Sequence, residues 1–353
     1  MNKNKVLNIR KRCAAAVLGM AALGMALIPS AGFASSSCGG ESTGTVVSTS
    51  QTNAEAARTV VSVVSSRIST MLMPTAAGRT GAQISSLGDN AQSGQAAGDA
   101  GQGFGLWGSG SVSFMHDSAQ TTKHNGDLTN VLAGIDYRVT DKLVAGMAIG
   151  YEYLGLDTRY NSGKMTTKGL TFTPYVGYTI MENLNVDAML GYSFLTTNMR
   201  DGAVNTYKAD YSSNRMMAAL NVNYRIPTSY FDTIVSGGYM YSNERSETYD
   251  AKALGQVDIN VRSRDAFIGE LRGGARVERV FADRFTPYLG AYYLYDTTLS
   301  SSVRTKDFDA VEFVGGMDAR VTDKLRLGLE LSDTCFRRYE DNARVGLNLR
   351  YEW

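Results

Sequence analysis

His116 and His124 are the only histidines in the 353-residue chain, and Asp117 follows the first of them. Imidazole and carboxylate are metal ligands, and together they can also activate a nucleophile. Both histidines fall in "MHDSAQTTKHNG", read as a polar loop, where they could hold a weak surface metal or simply be solvated. No Cys/His cluster has zinc spacing, and no serine stands in a G-x-S-x-G context. "GFGLWG", Gly103 to Gly108, has G-x-G-x-x-G spacing. It neither follows a strand nor opens a helix, so it lacks the setting in which such a loop cradles a pyrophosphate. Carboxylates recur as Glu270 with Glu278 and Glu330 with Glu352, a pattern open to general acid–base work. Arg272, Arg276 and Arg350 are interleaved with them, which favours charge pairing. The expectation is a non-enzymatic protein with no cofactor and no metal.

A two-residue period positions these charges. "LVAGMAIGYEY" puts Leu143, Ala145, Met147, Ile149, Tyr151 and Tyr153 on one face, opposite Val144, Gly146, Ala148, Gly150 and Glu152. "LNVDAMLGYSF", "LRLGLELS" and "FIGELRGGARVE" alternate in the same way. Twelve such segments begin near 104, 127, 142, 166, 183, 210, 230, 257, 284, 308, 324 and 342. Their connections alternate too: tight at "RVTDK" (138–142 and 320–324), "IMENL", "IPTSY" and "VFADR", long and polar at "TTNMRDGAVNTYKADYSS" and "DTTLSSSVRTKDFD". An even strand number with short turns on one rim and long loops on the other is the signature of an outer-membrane barrel.

The direction of the alternation follows from cost. Glu270, Arg272, Arg276, Asp318, Arg320, Glu330, Arg344 and Arg350 lie mid-strand on one side. A lipid-facing Arg at mid-depth costs about 2–4 kcal/mol, so these eight are expected to line the lumen. Segments of about eleven alternating residues suit a tilted membrane strand, whereas soluble strands run to about 5–6. Tyr137, Tyr178, Tyr224 and Trp353 beside the tight turns, and Tyr151, Tyr192, Tyr239 and Tyr293 toward the long loops, form two aromatic girdles. A closed barrel leaves no free edge. The last segment, with Val345, Leu347, Leu349, Tyr351 and Trp353 on its apolar face, is therefore expected to pair with "FGLWGSGSVSF".

The N-terminal third is different. Residues 1–34 carry a basic head (Lys3, Lys5, Arg10, Lys11, Arg12), an apolar stretch and "AGFA", which together read as a secretory signal cleaved after Ala34. A membrane anchor is the competing reading. Cys38 lacks the Leu that a lipoprotein site needs three residues before it. Cys38 and Cys335 then form one disulfide or stay unpaired. Residues 35–51 are Ser, Thr and Gly with little to bury and are expected to be disordered. Residues 52–74 form an amphipathic helix, with a capping box of Thr52 and Glu55, an apolar stripe of Ala57, Val61, Val64, Ile68 and Met71, and a stop at Pro74. Inside a polar lumen its contacts would be Arg58, Arg67 and the serines. Residues 75–103 read as a flexible linker, and 104–353 as the barrel. Net charge is +1 and mean hydropathy −0.18, which gives no electrostatic case for nucleic acid.

The signal, the helix, the linker, "GLWGSGSVSF", "LAGIDYRVTDKLVAGMAIGYEY" and the aromatic C-terminus resemble the autotransporter (type V secretion) translocator domain, over roughly residues 100–353. The resemblance implies an all-β, 12-stranded antiparallel transmembrane β-barrel. A helix plugs its lumen, and the N-terminal passenger moves to the surface of a Gram-negative cell. Implied partners are outer-membrane lipids, the secretion translocon and the barrel-assembly machinery. Family passengers run to hundreds of residues, and here only a remnant precedes the helix. A structural or small porin-like barrel with no export role is the alternative, and a surface enzyme is a third reading.

Overall fold

In the computed structural model of the chain, the described residues are 42–73, 104–119, 122–159, 162–201, 207–253, 258–299, 308–322 and 324–352. Ala34, Cys38, the 75–103 segment and Trp353 lie outside them. One helix, α1 (Ser42–Leu72), precedes fourteen strands: β1 (Phe104–Asp117), β2 (His124–Thr140), β3 (Leu143–Thr158), β4 (Gly163–Met181), β5 (Leu184–Asp201), β6 (Tyr207–Pro227), β7 (Asp232–Ser246), β8 (Tyr249–Ala253), β9 (Ile259–Val261), β10 (Arg264–Glu278), β11 (Phe285–Leu299), β12 (Asp309–Arg320), β13 (Leu325–Cys335) and β14 (Glu340–Glu352).

Each wall strand pairs antiparallel with its neighbour, β7 pairs with β10, and β14 returns to β1 from Gly105↔Glu352 to Asp117↔Glu340. The ring is therefore a closed barrel of twelve strands, and every wall strand has two partners. Strands β8 and β9 form a small ribbon outside it, joined to the top of β6 through Tyr207↔Ala253 and Lys208↔Lys252. The segment expected from 257 thus divides: its start is β9, and the wall strand begins only at Arg264. Tyr211 stacks on Tyr249 with ring centroids 4.4 Å apart, holding the ribbon against the wall.

Alternation becomes two surfaces. Ile135, Met147, Ile149, Leu170, Phe172, Leu190 and Phe194 are exposed on the outside, as are Val345, Leu347, Leu349 and Tyr351 of the closing strand. A continuous apolar exterior is what hydrocarbon solvates. Tyr178, Tyr224, Tyr151, Tyr192, Tyr239 and Tyr293 are exposed on the same surface, while Tyr137 tucks against Phe104 with centroids 4.9 Å apart. Among the described residues no helix is long and apolar enough to cross a membrane; the strands do so.

The helix begins at Ser42 rather than Thr52, so residues expected to be disordered form its first turns. Thr52 does not cap it: its Oγ1 donates to Thr49 O within the helix (3.0 Å). Glu55 pairs with Arg58 instead of closing a capping box. His116 and His124 also move from loop to strand, at the end of β1 and the start of β2. There Asp117 faces His124 and Asn125 faces His116 in the register, which puts the two imidazoles on opposite sides of the sheet.

Candidate functional site: the helix-filled lumen

The inner wall is two-sided, and the helix reads both sides. On β1 to β7, inward positions carry Trp107, Leu132, Val144, Ala148, Tyr175, Met189, Met217, Ala219 and Met240. These form one buried cluster with Ala57, Val60, Val64, Ile68, Met71 and Leu72 of α1. The apolar stripe of a helix must be covered somewhere, and here the wall itself covers it. Gly177 marks the closest approach: a Cβ there would sit 2.1 Å from Ile68 Cγ2.

Charged and polar contacts fix the height of the helix. Near its N-terminal end, Gln51 Nε2 donates to Asp117 Oδ2 (3.0 Å) and Glu340 Oε1 (2.5 Å), where β1 ends and β14 begins. Asn53 Nδ2 donates to Ala266 O (2.8 Å) and its Oδ1 accepts from Ser242 Oγ (2.6 Å). Arg58 Nε and Nη2 donate to Glu270 Oε1 and Oε2 (3.2 and 2.5 Å). Lower down, Ser65 Oγ donates to Asp187 Oδ2 (2.8 Å). Arg67 Nε donates to Asp136 Oδ2 (2.6 Å), whose other oxygen accepts from Tyr175 Oη; that hydroxyl in turn accepts from Trp107 Nε1 (2.8 Å). At the tight-turn end Arg138 Nη2 donates to Met71 O (3.0 Å), one of the helix's last carbonyls. The N-terminal end of α1 thus lies at the long-loop rim and its C-terminal end at the tight-turn rim.

The opposite half of the wall is ionic. Arg272 pairs with Glu312 (3.0 Å), and its guanidinium lies 3.4 Å over the Tyr292 ring. Arg344 reaches Glu312 and Glu330 (3.5 and 3.2 Å), and Arg276 reaches Glu278 (3.1 Å). Asp318, Arg320 and Arg350 line a cleft with Ser62, Ser66 and Thr70 of the helix. Glu270, Arg272, Arg276 and Glu330 line a second, with Ser62, Ser65, Ser66 and Ser69. The clefts measure about 110 and 80 Å³. At roughly 10–15 Å³ per water position they have room for several waters each.

Three of the four carboxylates with an acid–base pattern are taken up by other partners, Glu330 by Arg344 (3.2 Å) and Tyr288 Oη (2.9 Å). Glu270 binds Arg58, with Arg337 at 4.0 Å, and Glu278 binds Arg225 (2.6 Å) and Arg276. Among the described residues no three-ligand group could hold a metal ion. Cys335 is buried and donates to Asp333 (3.6 Å).

Sequence reasoning overlooked several of these groups. Arg215 is buried between Glu152 and Glu244 (2.7 and 2.9 Å), bridging β3, β6 and β7. Arg337, in the β13–β14 loop beside Phe336 at φ 73°, drops inward to Asp296 (2.9 Å). Arg215 could have been found, since it lies in phase with the inward positions of β6. Arg337 could not, because a loop carries no period.

The sequence profile of the Autotransporter beta-domain matches residues 101–332, about two-thirds of the chain. The chain belongs to that family. The autotransporter barrel described here is similar to the translocator domain of autotransporter NalP from Neisseria meningitidis, with TM-score 0.63 and 12% identity over 70% of this chain and 88% of that one. The β domain of the Bordetella autotransporter BrkA gives 0.59 and 17%, over 71% and 100%. The transport unit of AIDA-I from Escherichia coli gives 0.51 and 10%, over 80% and 99%. At these identities the likeness shows the fold. No curated protein matches the chain. As an autotransporter β-domain it is a barrel of outer-membrane type, the membrane of Gram-negative bacteria.

Proposed function

We propose that this autotransporter barrel anchors its own short N-terminal segment at the surface of a Gram-negative cell, having carried it there during assembly. Residues 1–34 direct export through the secretion translocon and are removed after Ala34. The barrel-assembly machinery then inserts the wall, reading the closing strand with Val345, Leu347, Leu349, Tyr351 and Trp353. One observation supports the reading above others: α1 fills the lumen with its N-terminal end at the long-loop rim and its C-terminal end at the tight-turn rim. Long loops are extracellular in barrels of this type. A segment that precedes such a helix ends outside the cell only by passing through the pore. No catalytic group enters this function; of the eight charges named from the sequence, Glu270 binds the plug and the others serve the lumen wall.

The test is labelling of intact cells with a membrane-impermeant maleimide, in a Cys335→Ser background that leaves Cys38 as the mature thiol. Reaction at Cys38, and at the introduced thiol of a Ser42→Cys variant, is the expected result. Reaction only after the outer membrane is permeabilised overturns export and leaves a purely structural barrel.

A further inference from the structure

Four cations stand side by side on the outside of the wall at its long-loop end. Lys164 of β4 is the register partner of Arg200 on β5, Arg200 of Lys208 on β6, and Lys208 of Lys252 on β8. Direct partners share one face of a sheet, and all four are exposed there. Like charges directly opposite one another are mutually destabilising, so a row of four needs anions that the chain must hold or recruit.

The nearby acids meet that need only in part. Asp157 reaches Lys164 at the β3 end of the row, at 3.5 Å with both side chains largely exposed, a contact that solvent weakens. Asp210 and Asp250, two residues from Lys208 and Lys252 on their own strands, accept from the side-chain amides of Asn198 and Asn260. Among the described residues no ion pair involves Arg200, Lys208 or Lys252.

Height selects the occupant. Outward positions down β4 read Lys164, Thr166, Lys168, Leu170 and Phe172, and those down β5 read Arg200, Asn198, Thr196, Phe194 and Tyr192. The change to apolar side chains comes between Lys168 and Leu170. Lys168 lies over the Tyr153 ring (5.8 Å), as a cation at the hydrocarbon boundary does. Lys164 and Arg200 stand a further four residues up, roughly 13 Å along the strand and about 10 Å in height at a tilt near 40°, and Lys208 stands six residues above Asn214, the last polar outward position of β6. An ordinary phospholipid headgroup layer is only about 5–8 Å deep per leaflet. A headgroup built of phosphorylated sugars reaches the row.

We propose that Lys164, Arg200, Lys208 and Lys252 bind the phosphates of lipopolysaccharide in the outer leaflet. The proposal rests on the long-loop rim facing outward, and the β8–β9 ribbon extends the binding surface beyond the closed wall.

Titration of the purified full-length barrel in detergent with phosphorylated rough lipopolysaccharide tests it. Dephosphorylated lipopolysaccharide and phosphatidylglycerol serve as separate arms, and bound lipid is read by native mass spectrometry. Phosphorylated lipopolysaccharide should bind, both other lipids should bind more weakly, and the combined Lys164→Ser, Arg200→Ser, Lys208→Ser, Lys252→Ser variant should lose roughly 1,000-fold in affinity. Should that variant not fold, Arg200→Ser with Lys208→Ser should lose roughly 30-fold. Unchanged affinity in a folded variant overturns the proposal. So does equal binding of the dephosphorylated lipid or of phosphatidylglycerol. Cys38 labelling on intact cells is read independently, so the two proposals fail separately.

Discussion

Arg58 of α1 and Glu270 of β10, 212 positions apart, meet inside the barrel with Nη2 and Oε2 2.5 Å apart and both side chains buried. The pair ties the helix to the ionic half of the wall, while its apolar stripe holds the other half. Glu270→Gln leaves a buried guanidinium whose remaining ion pair is with Glu55, and breaking a buried pair from one side costs about 3–5 kcal/mol. The double variant Arg58→Met, Glu270→Leu removes both charges and should cost less than Glu270→Gln alone. Urea denaturation followed on unheated gels measures both.

Gly177 sets the distance between wall and helix. Gly177→Val places a branched side chain where Ile68 and Leu72 sit, so the wall should still close while α1 is displaced. Single-channel conductance in planar bilayers should rise, and combining it with Ile68→Ala should lower it again. Ile68→Ala alone removes a fully buried side chain and should destabilise by about 2–5 kcal/mol.

Asp136 is shared by Arg67 and Tyr175. Asp136→Ala strips the acceptor from both and should loosen the C-terminal end of the helix, so that trypsin, excluded from the wild-type lumen, cuts after Arg67. Trp107→Phe deletes the indole bond to Tyr175 and leaves a small cavity in the buried cluster; it should cost about 1–3 kcal/mol and leave the site resistant.

Leu347 and Asn348 are neighbours in β14 on opposite faces. Leu347 is 63% exposed outside, whereas Asn348 lines a water cleft. Leu347→Arg should cost about 2–4 kcal/mol at mid-depth and reduce the heat-modifiable folded band. Asn348→Arg should leave that band intact.

Much of the wall is legible in the chain because lipid outside and water inside impose a strict period of two, and the segments from Leu143, Leu184 and Leu325 start where the period says. Boundaries failed where another force took over. Near 257 a solvent-exposed ribbon interrupts the run, and the alternation of "DINV" resembles wall strand because an edge ribbon also has two faces. At Ser42 the helix outruns its own composition: Thr- and Val-rich turns are poor helix formers in water, but here they extend a helix already nucleated by the turns packed in the lumen.

The sequence by itself determined the strand count, the outward apolar surface and the inward charges, since each is a one-dimensional pattern set by solvent on either side of a sheet. It could not say why Val144, Ala148 and Met189 share a face with Glu152 and Asp187. Only closing the ring brings those residues together around one groove, where a helix covers what water would otherwise wet. The pairing of Arg58 with Glu270 is likewise set by where the helix docks, and the alignment of Lys164, Arg200, Lys208 and Lys252 by the register between strands, which alternation alone leaves open.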